Sequence, residues 1–214
     1  MEEKKITYSS WTRLAGISGL AGILCYFGAA FIPLPDVVGR LLAFSFGPAL
    51  VISFLGTYRV MSVNRDSIVI QIMFLFGVIA GTLVTSMLVV QVGNNMTRAA
   101  LLTGADTEAA RESIKVAWGA VNRVQYLLDV VWDIFITVAL ILLGVSMINH
   151  PRFGKIWGYS GILISFALLV LNLYTFPEAP AYAGSVDLGP LAALWMLAVY
   201  VRILFLKNTS PDVT

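Results

Sequence analysis

Apolar residues run in six blocks along this chain, each about 20 residues long and each closed by prolines, charges or small polar residues. The first, 14–32, ends at Pro33-Leu34-Pro35. The second, 38–58, follows Asp36 and contains Pro48, which removes a helical hydrogen bond and is expected to kink or locally unwind it. The third, 67–92, has Asp66 placed to cap its start, and the fourth, 127–148, stops before Asn149-His150-Pro151. The fifth, 155–176, ends at Pro177, and the sixth, 188–206, has Asp187 as its expected N-cap with Pro190 in its first turn. Only helices satisfy their own backbone polar groups over such lengths in lipid. The pattern therefore predicts an all-α, polytopic membrane protein with six transmembrane helices. A head, 1–13, and a tail, 208–214, flank a single domain, 14–207.

The 93–126 stretch is the long connection, and its composition is not that of a disordered linker. Asp106-Thr107 followed by Glu108 is a helix start with an acid at the positive end of the dipole. Ile114, Ala117, Val121, Val124 and Leu128 then recur at helical spacing into the fourth span, and Thr103-Gly104 makes a turn before them. The third and fourth spans are expected to continue as a long helical hairpin projecting outward. Its second helix, 107–148, would be about 63 Å long, twice the hydrocarbon thickness. A rival reading breaks the helix at Gly119 and lays an amphipathic segment on the outer surface.

Composition agrees with this class. The chain is 58% hydrophobic and 12% charged, about half the charged share of a soluble domain. A net charge of +2 is too small and too dispersed to suggest nucleic acid. The one cysteine, Cys25, excludes an internal disulfide and a cysteine metal cluster. The basic head precedes an apolar run, as in a secretory signal, but that run is long and lacks a small-x-small cleavage pattern, so it reads as an uncleaved first span. On the side opposite the termini lie Arg40, Arg98, Arg111, Lys115 and Arg123, and the other Lys and Arg, of 14 in all, fall on the side of the termini. That bias predicts both termini in the cytoplasm and a place in the cell membrane.

Within the fourth span, Asp129 and Asp133 stand at i, i+4 on one helix face, and Asn122, Tyr126, Thr137 and Gly144 extend the stripe. Asp129 is expected near the outer boundary, with Asp133 about 6 Å deeper. Carboxylates do not face lipid, so neighbouring helices must shelter them. The expected counter-charge is Arg40, and Gln91, Asn95, Asn172 and Asp187 are further polar groups on the same side. Two readings compete: a buried Arg40–Asp133 clamp that fixes helix register, or an outward-facing cavity that binds a small molecule, a cation or a proton.

The catalytic inventory is thin. His150, the single histidine, sits in a short turn, which excludes bis-His haem and three-His zinc sites. Asp129-x-x-x-Asp133 is similar to the second half of the metal motif of CDP-alcohol phosphotransferases, but the first half, Asp-x-x-Asp-Gly, is absent. No cofactor is expected, although Asp129 and Asp133 are candidate ligands for a divalent cation completed by carbonyl or amide oxygens.

Arg13-Leu-Ala-Gly16-Ile-Ser18-Gly19 and Lys155-Ile-Trp-Gly158-Tyr-Ser160-Gly161 match in pattern at the openings of the first and fifth spans. This suggests either a duplication of spans one-two as five-six, or repeated use of small residues at helix contacts. Gly77-x-x-x-Gly81 and Gly154-x-x-x-Gly158 have the spacing that lets backbones approach.

The segments 147–154 (MINHPRFG), 171–177 (LNLYTFP) and 187–191 (DLGPL) resemble a family of uncharacterised small six-helix prokaryotic integral membrane proteins, a domain of unknown function. The resemblance covers the C-terminal third. It implies the six-helix topology and draws attention to Asn172 and Asp187, but carries no activity.

Three functional classes follow. The first is a membrane protein binding, and transporting or sensing, a small molecule or cation at the polar cavity. The second is an interaction subunit that docks a protein partner through 93–126. The third is a lipid-modifying enzyme built on a carboxylate-held metal.

Overall fold

The structure, a computed structural model, describes residues 8–63 and 67–206. It consists of six helices: α1 (Tyr8–Phe31), α2 (Asp36–Ser62), α3 (Ile68–Thr103), α4 (Glu108–Ile148), α5 (Gly154–Thr175) and α6 (Gly189–Leu204). α1 to α5 are long and apolar enough to cross a membrane, and α6 is a shorter apolar helix of 16 residues. The sixth span is thus shorter than the expected 188–206, about 24 Å at 1.5 Å per residue.

The helix ends follow from local chemistry. Pro33 and Pro35 separate α1 from α2, and Asp36 places an acid in the first turn of α2. Pro48 lies inside an uninterrupted α2. The N-cap of α3 is Ser67, whose carbonyl accepts from Ile70 and Gln71; the expected cap, Asp66, lies outside the described residues. Thr107 caps α4, its Oγ1 accepting from the Ala110 N–H at 3.2 Å. Asp187 is not the N-cap expected of it but stands one position outside, where it still meets the first N–H of the helix. The N-cap is Leu188, while Asp187 Oδ1 accepts from the Gly189 N–H at 2.8 Å.

α3 spans 36 residues and α4 spans 41, with only residues 104–107 between them. α4 runs through Gly119 without the break of the rival reading. No heavy atom lies within 4 Å of where its Cβ would be, so no packing force opposes the helix there. Asn94 Nδ2 donates to the Trp118 carbonyl at 3.1 Å, Trp118 Nε1 donates to Asn95 Oδ1 at 3.1 Å, and the Arg98 guanidinium sits 4.5 Å from the Trp118 ring centroid. These contacts hold the two helices together beyond the core.

The helices pack as a ring: α1 on α2, α2 on α3, α3 on α4 and α4 on α5, while α6 returns to α1 and touches α5 only slightly. Glycines set the closest approaches. Gly81 lies against Gly47 of α2, and Gly158 against Gly144 of α4. Gly154, by contrast, meets nothing and serves the turn before α5, where its φ of +77° disfavours any residue with a Cβ. The two matched segments are used differently. α1 packs broadly on α2, whereas α5 packs on α4 and barely on α6. α5 and α6 thus do not pack as α1 and α2 do, although the small residues of both matched segments stand at helix contacts.

Candidate functional site

α4 presents Asp129 and Asp133 on the face that also carries Trp132, Ile136 and Leu140, and this face opens on a cavity of about 300 Å³. α1 closes one side with Ile23, Tyr26, Phe27 and Phe31, and α2 adds Phe46 and Leu50. Leu168 and Asn172 of α5 stand opposite, and Ala192, Ala193 and Met196 of α6 complete the wall. The connection between α5 and α6 supplies Ala179, Pro180 and Asp187 at one end. α3 takes no part.

Three carboxylates thus share one space. Asp129 and Asp133 are half-buried and Asp187 is exposed. Tyr26 lies within electrostatic reach of all three. Asn172, 2% exposed, donates through Nδ2 to its own helix at the Leu168 carbonyl, 3.1 Å away, and lines the cavity together with Asp133. Thr137, fully buried, donates to the Asp133 backbone carbonyl at 2.6 Å and so supports the helix, not the carboxylate. Trp132 Nε1 is buried in the cavity wall without a hydrogen-bond partner. No Lys, Arg or His side chain lines the cavity among the described residues. Ionised carboxylates that share a poorly solvated space repel one another, and among the described residues the wall offers no positive charge to offset them.

The Arg40–Asp133 clamp is not formed. Arg40 Nε donates to the Asp36 carbonyl at 3.1 Å, and its Nη1 approaches Met96 Sδ at 3.7 Å. Among the described residues, ion pairs form only between Glu108 or Glu112 and Arg111 or Lys115, all exposed on α4. Gln91 and Asn95 stand apart from the cavity because α3 packs between α2 and α4 on the far side of the ring; Gln91 is half-buried, and Asn95 is engaged by Trp118. Tyr126 does not line the cavity either. Its ring meets that of Tyr182, centroids 5.7 Å apart, next to the Asp187 end. Of the expected site residues, Asp129, Asp133, Asn172 and Asp187 are brought together, and Arg40, Gln91, Asn95 and Tyr126 are not.

Sequence reasoning missed the contribution of α1. Tyr26, Phe27 and Phe31 share a face with Ile23 at i, i+3, i+4, i+8, but aromatics on an apolar helix look alike whether that face meets lipid or a cavity. Trp132, three residues beyond Asp129, lay within the stripe and was the one signal available.

Among the described residues, no three His, Cys, Asp or Glu side chains converge as a metal site requires. At the opposite end of the bundle, His150 is 7% exposed, its Nδ1 accepting from the Arg152 N–H at 3.3 Å and its Nε2 unpartnered. The fold and cavity define a class, an all-helical bundle with five helices fit to span a membrane and a carboxylate-bearing hollow between them. No family model, curated protein or solved structure matches the chain. The C-terminal resemblance therefore stands on its own residues alone.

Proposed function

We propose that this chain is a multi-pass protein of the cell membrane that binds, and transports or senses, a small molecule, cation or proton in the cavity between α1, α2, α4, α5 and α6. The observation that carries this reading is that Asp129, Asp133 and Asp187 line one cavity whose wall, among the described residues, holds no basic side chain. Both termini are assigned to the cytoplasm by the basic residues, which puts Asp187 and its end of the cavity outside. At about 300 Å³ the cavity is at the small end of the range for ligand pockets. The α3–α4 hairpin then continues beyond the bilayer on the outer side, since α4, at about 62 Å, is twice the hydrocarbon thickness.

The test is Asp133→Asn. The variant is expected to remain folded while the dependence of melting temperature on added cation disappears and its dependence on pH diminishes. A variant that melts as the wild type does, with the same dependence, removes Asp133 from the site.

A second reading is favoured by the apolar residues Val116, Val121 and Val124, which are exposed on the outer half of α4. They offer a protein partner a docking stripe. Val121→Lys would then dissociate a complex seen in mild detergent, and an unaltered monomer counts against it.

A further inference from the structure

We infer that the cavity takes a hydrophobic organic monocation, an ammonium group carried on an apolar body of about ten heavy atoms. This rests on the reading of the cavity as a ligand site and narrows it to one chemistry. The charged groups in its wall are carboxylates alone, so they favour positive charge in the ligand. The rest of the wall is apolar and includes a run of aromatic rings: Phe46 stands 4.9 Å from Tyr26 and 6.4 Å from Trp132, centroid to centroid, which links α1, α2 and α4 through one set of rings. Ring faces beside carboxylates are the combination that recognises ammonium groups.

A bare metal ion fits less well. It asks for six or more converging oxygens, whereas these acids do not come together as a group that could hold one ion, and most of the remaining wall is apolar. The unpartnered Trp132 N–H adds a second feature, since an acceptor oxygen on the ligand body would satisfy it. Asp187, exposed at the end of the cavity, is placed to attract a cation before it reaches Asp129 and Asp133.

The experiment uses the full chain in detergent micelles, titrated with benzyltrimethylammonium chloride and followed by tryptophan fluorescence and calorimetry. N,N-Dimethylbenzamide serves as the neutral probe, and sodium and potassium chloride as inorganic probes. Saturable binding of the ammonium probe is expected, with the neutral probe at least about tenfold weaker, a difference of roughly 1.4 kcal/mol. Asp133→Asn and Asp129→Asn should each weaken the ammonium probe by about tenfold or more. Should either fail to fold, Asp187→Asn decides, because asparagine keeps the oxygen that accepts from the Gly189 N–H while losing the charge. It is expected to weaken binding a few-fold, and less so at high salt. Equal binding of both organic probes, unaffected by Asp187→Asn, overturns the cation inference and leaves a small-molecule site. A response to sodium, potassium or pH alone, lost in Asp133→Asn, also overturns it while keeping the cavity as an ion or proton site. No response to any probe removes both readings.

Discussion

Gly144 of α4 and Gly158 of α5 face each other so closely that a Cβ on either would lie 2.7 Å from the other's carbonyl oxygen. The contact sets the spacing of the two helices that carry Asp133 and Asn172. Since backbone, not a flexible side chain, stands in the way, Gly144→Ala must push the helices apart. The expected cost is about 1–3 kcal/mol, measured as a lower melting temperature in detergent. Gly119→Ala is the control. Its Cβ would meet nothing, so the ordinary helical preference for alanine should stabilise by roughly 0.5–1 kcal/mol. Equal effects at the two glycines would mean that α4 and α5 are not in this contact.

How far the sequence predicts this arrangement depends on what kind of signal each part carries. Length and helix-breaking residues mark all six helices, because a long apolar run bounded by prolines has few other solutions. Thr107 and Asp187 are legible as start signals for the same local reason. Asp129 and Asp133 are legible as a pair because i, i+4 spacing shares a face whatever surrounds it. Which neighbour that face meets is a different question. Arg40 lies toward the same end of the bundle as Asp133, but span order does not say that α2 turns Phe46, not Arg40, toward α4. Gln91 and Asn95 fail for a related reason, as α3 adjoins α4 on the side away from the cavity. A polar residue's depth is readable from a sequence; its bearing around a ring of helices is not.

The absence of a clamp has a direct consequence. Arg40→Gln removes a guanidinium that holds its own helix's Asp36 carbonyl and approaches Met96, with no carboxylate left unpaired. Melting temperature should change by no more than about 0.5 kcal/mol in equivalent stability, and ligand binding should be unaltered. Had Arg40 been the counter-charge of a buried Asp133, the same change would cost about 3–5 kcal/mol, so a collapse in expression or melting temperature would restore the clamp.

Where α1, α2 and α6 meet, Ser53 and Tyr200 share a buried hydrogen bond of 2.8 Å. Ser53 Oγ also donates to the Leu50 carbonyl at 2.7 Å, so Tyr200 is the donor to Ser53. The Tyr200 ring in turn packs on Gly19 of α1. Tyr200→Phe keeps that packing and leaves the serine proton satisfied. The expected loss is about 1 kcal/mol, whereas Tyr200→Leu should lose more by opening space against Gly19. Equal melting temperatures for the phenylalanine variant and the wild type would show that the hydroxyl contributes nothing to holding α6.

His150 gives the bundle a pH dependence of calculable sign. Burial first, and the Arg152 charge second, hold its imidazole below the ordinary histidine value of 6.5. Unfolded, the ring takes up its proton near that value; folded, it does so only at lower pH. Between the two the unfolded chain holds more protons, so stability rises with pH. The contribution is complete above about pH 6.5 and is lost as pH falls from there toward the folded value. Asparagine at this position offers an oxygen near Nδ1 to accept from the Arg152 N–H but cannot take up the proton. Melting temperatures of wild type and His150→Asn, followed from pH 8 down to pH 5, should therefore converge as the wild type loses its margin. Because the carboxylates of the cavity are common to both proteins, the difference between the two curves isolates His150. Parallel curves across that window would mean that the imidazole is solvated, and that the turn between α4 and α5 is looser than its 7% exposure implies.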